Sequence, residues 1–253
     1  MRDPHCILIT GASSGIGAAL AELYAEPGRT LALTGRNSAR LEGVAARCRV
    51  RGALVVTAAL DIRSAGALAD WIGEVDSATP IDLCIANAGI ARGKDGTSES
   101  AEAIRQIFAT NVDGVLNTVL PLLPVMRERR RGQLAIVSSV AGFRGLPGSG
   151  AYCASKAAER VFAESLRADL APFGVGVSVI CPGFVHTPMT DRHAFRMPLV
   201  MEPERAAGII RRGLARNRAR IAFPWLTVAV CWLLGALPPA WSDGLIRLAS
   251  GKS

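Results

Sequence analysis

The sequence predicts an α/β fold: a doubly wound parallel sheet in a three-layer α/β/α sandwich, forming one domain over residues 1–253. Three observations predict it. Short apolar runs rich in β-branched residues alternate with longer stretches of helical periodicity. Those runs are apolar throughout, which implies strands buried on both faces, as in a parallel sheet covered by helices. No repeat, linker or low-complexity stretch divides the 253 residues, a length that one large α/β domain can fill.

The elements follow in order. "CILIT" (6–10) reads as a strand and "GIGAALAELYAE" (15–26) as a helix. "TLALTG" (30–35) is a strand, followed by a helix over "SARLEGVAARCR" (38–49). "ALVVTAAL" (53–60), "IDLCIAN" (81–87), "GQLAIVSS" (132–139) and "GVSVICP" (176–182) complete six strand candidates, with helices near 64–76, 99–126 and 151–172 between them. A further helix begins at Pro203, and a seventh strand lies near 220–223.

Composition narrows the function classes. The net charge is +8, which suits nucleic acid, an anionic cofactor or a membrane surface. No aromatic-interleaved basic patch or zinc-finger spacing is present, so nucleic acid is not the expected partner. The six cysteines form no C-x-x-C pair and mostly sit in apolar runs, as expected of buried reduced thiols in a cytoplasmic protein. The first ten residues lack the long apolar core of a secretory signal. His5, His186 and His193 show no metal-ligand spacing, and no metal is expected.

In such folds ligands sit at the carboxyl ends of the strands. There the sequence has Thr10–Gly17, Gly35–Asn37, Asp61, Asn87–Gly89, Ser138–Ser139 and Pro182–Thr187, all containing Gly, Asn, Ser or a charge. "TGASSGIG" (10–17) joins the first strand to the first helix. Gly11, Gly15 and Gly17 permit a tight turn and close backbone approach to a pyrophosphate, beside the free N–H groups of a helix N-terminus. Glycines also serve ordinary turns, but the strand–turn–helix context favours a dinucleotide. After the second strand stands Arg36, where an acidic residue would bind a ribose 2′-hydroxyl; an arginine suits a 2′-phosphate. The expected cofactor is therefore NADP(H) in preference to NAD(H), against the alternative of a solvated surface arginine. Asp61 could hydrogen-bond the adenine amino group or cap the next helix.

The chemistry is expected at "GAYCASK" (150–156). The chain has three lysines, Lys94, Lys156 and Lys252. One of them follows Tyr152 by four residues, on the same face of a helix. A phenol titrates near ~10 and is a poor base at neutral pH; a neighbouring ammonium favours the phenolate. Ser139, ending a strand, could hydrogen-bond a substrate oxygen. Asn111 lies inside a helical stretch where asparagine is disfavoured on propensity, which points to a hydrogen-bonding role. A tyrosine four residues before a lysine also occurs as an ordinary surface pair.

Taken together, "TGASSGIG", "NAG" (87–89), Asn111 in "TNVDG", Ser139 in "VSSVAG", "YCASK" and "CPGFVHT" (181–187) resemble the short-chain dehydrogenase/reductase family over about residues 5–190. The resemblance implies a Rossmann fold and a tetrad of Asn111, Ser139, Tyr152 and Lys156. Tyr152 would be the general acid in carbonyl reduction and the base in alcohol oxidation, Ser139 would polarise the carbonyl, and Lys156 would hold the nicotinamide ribose. Asn111 would position a water in a relay to Lys156. Cofactor contacts are implied at Gly11, Ser13, Ser14, Gly15, Ile16, Gly17, Arg36, Asp61, Ile62, Asn87, Ala88, Gly89, Tyr152, Lys156, Pro182, Gly183, Val185 and Thr187. The family's other basic position, just before the second glycine, is Ser14, so Arg36 carries the NADP preference. The expected substrate is a hydrophobic ketone, aldehyde or secondary alcohol, and the expected assembly a homodimer or homotetramer.

Residues 188–253 are expected to hold the substrate lid, the last strand and an apolar C-terminal extension. Met189, Phe195, Met197 and Met201 would make the lid hydrophobic. From Ile221 to Ser242 no residue is charged, yet Pro224, Gly235 and Pro238–Pro239 interrupt the segment. The remaining helical piece, Trp225–Leu237, would rise only ~20 Å at 1.5 Å per residue, too short for a ~30 Å hydrocarbon core. It is expected to cover the pocket or a subunit interface, or else to lie in a membrane interface beside the arginines at 211–220. The arginine run 127–131 is expected at a helix C-terminus, facing solvent. Two other functions stay open: a non-catalytic dinucleotide-binding regulator or scaffold, membrane-associated through residues 224–253, and an epimerase or dehydratase using the same Tyr–Lys pair.

Overall fold

The computed structural model describes residues 3–91, 99–190 and 199–249. Seven parallel strands form one sheet: β1 Cys6–Thr10, β2 Thr30–Thr34, β3 Leu54–Ala58, β4 Leu83–Ala86, β5 Gln133–Val137, β6 Gly176–Pro182 and β7 Arg220–Phe223. Their order is β3-β2-β1-β4-β5-β6-β7. The chain thus winds outward from β1 in one direction and, from β4 onward, in the other. The reversal opens a crevice between the carboxyl ends of β1 and β4, where such folds take their ligands.

Ten α-helices cover the sheet among the described residues: α1 Gly15–Tyr24, α2 Ser38–Val50, α3 Ala65–Ala78, α4 Ala101–Phe108, α5 Gly114–Val119, α6 Leu122–Glu128, α7 Gly150–Leu170, α8 Pro203–Ala215, α9 Trp225–Ala236 and α10 Pro239–Ala249. Alternate strand residues feed two cores. Ile7, Ile9, Leu31 and Leu33 pack with α1, α2 and α8 through Leu20, Leu41 and Ile210. Cys6, Leu8 and Cys84 pack with α3, α5, α6 and α7 through Ile72, Val119, Met126 and Leu166. The central strands therefore carry apolar residues on both faces, which is the pattern the sequence shows.

Three expectations need correction. The stretch 99–126 is not one helix: a π-helical turn, Ala109–Asp113, separates α4 from α5, and Pro121 separates α5 from α6. Proline lacks the N–H that would continue the ladder. β3 is not buried on both faces; Leu54 is 69% exposed because β3 is an edge strand, one face of which no helix covers among the described residues. The arginines at 127–131 are not simply solvated. Arg129 pairs with Asp76 at 2.8 Å, Arg131 pairs with Asp82, Arg130 donates to the Pro172 carbonyl, and Arg127 lies over the Phe173 ring. They fasten the α6–β5 corner to its neighbours.

Five of the six cysteines are buried, Cys231 is half-buried, and all six are free thiols. Among the described residues no helix is long and apolar enough to cross a membrane, and no cluster of metal-ligating side chains occurs. α9 contains no buried residue. Trp225 and Trp232 of this helix are 77% and 58% exposed, and Trp241 on α10 is 72% exposed. α9 nevertheless docks one edge on the 140–143 turn, where Gly235 approaches the Phe143 carbonyl so closely that a Cβ would stand 2.3 Å from its oxygen.

Candidate active site

The site is a cleft of about 550 Å³ along the carboxyl ends of the strands. One end is built by the β1–α1 turn. Gly11 and Gly15 have positive φ (65° and 56°), a conformation that costs a side-chain-bearing residue free energy and glycine almost none. A Cβ at Gly15 would meet the Thr187 methyl at 2.7 Å, so the 182–190 segment folds down onto this turn. Ser14 precedes α1 without a side-chain capping bond, which leaves the first-turn N–H groups available to an anion. Thr10 Oγ1 accepts from the backbone N–H groups of Asn87 and Ala88, both at 3.1 Å. Asn87 Nδ2 donates to the Thr10 and Gly11 carbonyls. "NAG" therefore braces the glycine turn from across the switch point.

Gly17 fits this brace and no larger residue does. A Cβ there would stand 2.4 Å from the Gly11 oxygen and 2.6 Å from Asn87 Nδ2. Gly17→Ala is expected to cost about 1–3 kcal/mol of stability by overpacking and to weaken dinucleotide binding. Chemical denaturation and a fluorescence titration with NADPH measure the two effects.

Of the residues expected to contact the cofactor, all but Gly17 line the cleft; Gly17 lies beneath it as a packing residue. Arg36 lines it and is exposed. Sequence reasoning missed Arg40, which lines the same end from the first turn of α2. The asparagine before α2 was its only sequence signal: Asn37 Oδ1 caps the helix by accepting from Arg40 N at 2.8 Å. That cap sets Arg40 beside Arg36, and α2 has no acidic residue in its first turn. Asp61 lines the cleft but caps no helix. Its carboxylate takes the Arg63 side chain at 2.6 Å and the Arg63 N–H at 3.0 Å. The Arg63 hydrogen bond above all holds this carboxyl below the ordinary range.

At the other end, Val137, the last residue of β5, and Ser138 and Ser139 after it line the cleft with Tyr152 and Lys156 of α7. Ser138 Oγ donates to the Lys156 carbonyl at 2.7 Å and pins α7 to the strand end. Ser139 Oγ accepts from Ala141 N at 3.1 Å and donates to the Pro182 carbonyl. The Ser139 hydroxyl also favours the ionised form of the Tyr152 phenol. Lys156 is buried and half-buried Tyr152 lies close by, with Nζ 5.8 Å from the ring centroid.

The sequence leads one to expect an acidified phenol, and the structure corrects this. Burial raises the Tyr152 pKa, and the opposing pull of Lys156 and Ser139 does not overcome it. A smaller contribution comes from a residue that pattern reading missed. Glu159, one helical turn beyond Lys156 and outside the cleft, accepts from Nζ at 2.8 and 2.9 Å, and its charge opposes the ammonium's effect on the phenol. A glutamate three residues after the lysine reads on sequence as an ordinary surface pair; only burial distinguishes it.

Asn111, fully buried, stands at the centre of the π turn, a distortion often found at functional sites. Its Oδ1 accepts from Ile90 N at 2.8 Å, and its Nδ2 donates to the Ile90 carbonyl and to Ser155 Oγ. The amide thus ties the 87–90 turn to α7. A Cβ at Gly89 would lie 3.2 Å from Asn111 Oδ1 and 3.4 Å from Lys156 Nζ, so glycine admits both groups under this turn.

Of the expected lid residues, Met189 lines the cleft. Met201 instead packs into the core beside Val185, because a short parallel bridge draws it inward. Phe195 and Met197 lie outside the described residues.

Comparison with known proteins agrees with this geometry. The family described as short chain dehydrogenase matches residues 5–196. An uncharacterized oxidoreductase of Myxococcus xanthus is 39% identical over 241 residues, 95% of each chain. A solved short-chain dehydrogenase of Sphingobium yanoikuyae in complex with NADPH superposes with a TM-score of 0.78 at 27% identity, covering 97% of this chain and 94% of that one. A short chain dehydrogenase of Mycobacterium paratuberculosis bound to NAD superposes with a TM-score of 0.76 at 25% identity, covering 86% and 94%.

Proposed function

We infer that this chain, which belongs to the short-chain dehydrogenase family, is an NADP(H)-preferring oxidoreductase acting on hydrophobic ketones, aldehydes or secondary alcohols, with Tyr152 as its proton donor and acceptor. It is an oxidoreductase of the NAD(P)-binding short-chain type. When bound, the nicotinamide supplies or accepts hydride; the chain supplies binding, orientation and proton transfer. One observation carries the finer reading: a single cleft has the braced glycine turn and two arginines at one end, and Ser139, Tyr152 and Lys156 at the other.

The glycine turn and the open start of α1 suit a pyrophosphate. Arg36 and Arg40 suit a 2′-phosphate, for which the guanidinium fork is shaped. Ser139 and Tyr152 suit a carbonyl or alcohol oxygen placed between them. Asp61, Ile62, the 87–89 turn, Pro182, Gly183, Val185 and Thr187 are read as the walls along the dinucleotide. Lys156 is read as the ribose holder, and Asn111 as the residue that fixes the turn above it. Met189 and the apolar edge of α9 on the 140–143 turn support a hydrophobic substrate.

Buried reduced thiols support a cytoplasmic location. Exposed apolar residues on α4 and α7, among them Ile104, Phe108 and Val161, support a homo-oligomer. The outward tryptophans of α9 and α10 are read as a further surface between subunits, in preference to a membrane contact. Incubation with NADPH, then NADH, and a panel of apolar ketones and aldehydes tests the proposal through loss of the reduced-cofactor absorbance. Tight NADPH binding without turnover on any carbonyl or alcohol would instead favour the non-catalytic regulator.

A further inference from the structure

Lys156 has three N–H donors, and three acceptors surround it: Glu159 Oε1 at 2.8 Å, Glu159 Oε2 at 2.9 Å and the Val137 carbonyl at 3.0 Å. The two charged side chains are 6% and 1% exposed. A carboxylate rarely enters a protein interior without a partner, and a half-broken buried pair is strongly unfavourable. Lys156 lines the cleft beside Tyr152, whereas Glu159 lies behind it and outside the lining, so substrate does not contact Glu159.

We propose that Glu159 is a positioning residue of the proton-transfer site: it anchors the Lys156 ammonium and matches its charge, so that Tyr152 feels a neutral pair rather than a free cation. The inference rests on the reading of Tyr152 as proton donor and acceptor. Its consequence is a site whose acidity is tunable from behind. With Glu159 ionised, the ammonium's pull on the phenolate is cancelled in part. With Glu159 neutral, the full positive charge acts on the phenol across a short, dry path.

Geometry and titration agree. Burial pushes the Glu159 carboxyl up to about 7, a rise that Lys156 only partly offsets. Burial pulls the Lys156 ammonium down, but Glu159 and Tyr152 together leave it above its ordinary value. Among the described residues, the other titratable or charged groups facing the cluster are few. Cys153 lies beside Tyr152 on α7, with Glu99 from the segment before α4 and Cys231 of α9 facing that thiol. Cys181 faces Lys156 and Glu159 from β6. Beyond Cys181 stands the ion-paired set Arg160, Glu164 and Arg220. Burial raises both cysteines, so near neutral pH Glu159 is the group closest to Lys156 able to change charge.

The chain has two tyrosines, which permits a direct test without cofactor or substrate. In Tyr24→Phe protein the near-ultraviolet rise of the phenolate reports Tyr152 alone. Adding Glu159→Gln is expected to move that rise to lower pH by about one unit or more, the effect of an unmatched charge at this range. Glu159→Asp keeps the charge and is expected to titrate close to the parent. No shift with Glu159→Gln, or an equal shift with Glu159→Asp, overturns the proposal.

A protein in which half the pair fails to fold is replaced by Lys156→Met with Glu159→Leu, because apolar residues of similar size substitute for a buried pair without loss of folding. Its phenol is expected within about half a unit of the parent. A rise of about one unit or more would mean that Tyr152 feels Lys156 as a free cation, and it too overturns the proposal. The titration is independent of turnover. Activity surviving Tyr152→Phe would remove the catalytic reading and leave the titration result standing.

Discussion

Tyr152→Phe is expected to lower turnover by about 10²–10⁴-fold, the range for removing a positioned general acid or base, while NADPH affinity stays near the parent value. The substitution removes one oxygen and keeps the ring, so the packing of α7 is conserved. The backbone contact of Tyr152, its carbonyl accepting from Ser155 Oγ at 2.8 Å, is independent of the phenol. Steady-state kinetics in both directions, with cofactor binding followed by fluorescence, separate the two effects. A variant that keeps the parent rate would eliminate Tyr152 as the proton carrier. The pH dependence follows from the same assignment. Burial sets the phenol above its usual value, and it must be ionised to take a proton from an alcohol. Alcohol oxidation should therefore rise with pH through the alkaline range, and carbonyl reduction should fall there as the phenol loses its proton.

Arg36→Asp is expected to reverse cofactor preference. Arg36 and Arg40 line the adenosine end of the cleft, and a hydrogen bond to a charged group contributes about 1.5–3 kcal/mol. Loss of that contact, with a carboxylate set against a 2′-phosphate, is expected to weaken NADPH relative to NADH by at least about 100-fold in kcat/KM, at about 1.4 kcal/mol per factor of ten. Arg40→Ala in the same assay measures how far the second arginine shares the role. The neighbours show why this needs measurement: one solved relative at similar likeness holds NADPH and another holds NAD. A parent enzyme with no preference would mean that both guanidiniums are simply solvated.

The folding determinants are local and legible. Strands at 6–10, 30–34 and 176–182 are predominantly apolar without alternation because both sheet faces are covered, and an amphipathic surface helix does not show that pattern. The glycine turn is legible because positive φ at Gly11 and Gly15, with a close backbone crossing at Gly11, favours glycine there. Tyr152 and Lys156 are legible because helical spacing alone sets them on one face.

Other features depend on what lies opposite a residue across the fold. Asn111 reads as a misfit in a helix; tertiary packing places it in a π turn whose amide holds the 87–90 segment. The arginines at 127–131 read as a solvated run, and partners remote in sequence such as Asp76 and the Pro172 carbonyl claim them. Arg40 becomes a cleft residue only because the Asn37 cap fixes the start of α2 beside the end of β2.

From the amino-acid order alone came the layer architecture, the dinucleotide end and the Tyr–Lys pair, since each depends on short-range spacing along a strand, a turn or a helix. Tertiary structure alone decided the electrostatic state of that pair. Whether a glutamate three residues past a lysine is a weak surface partner or a buried counter-charge depends on solvent access, and the folded sheet and the helices packed around α7 determine that access.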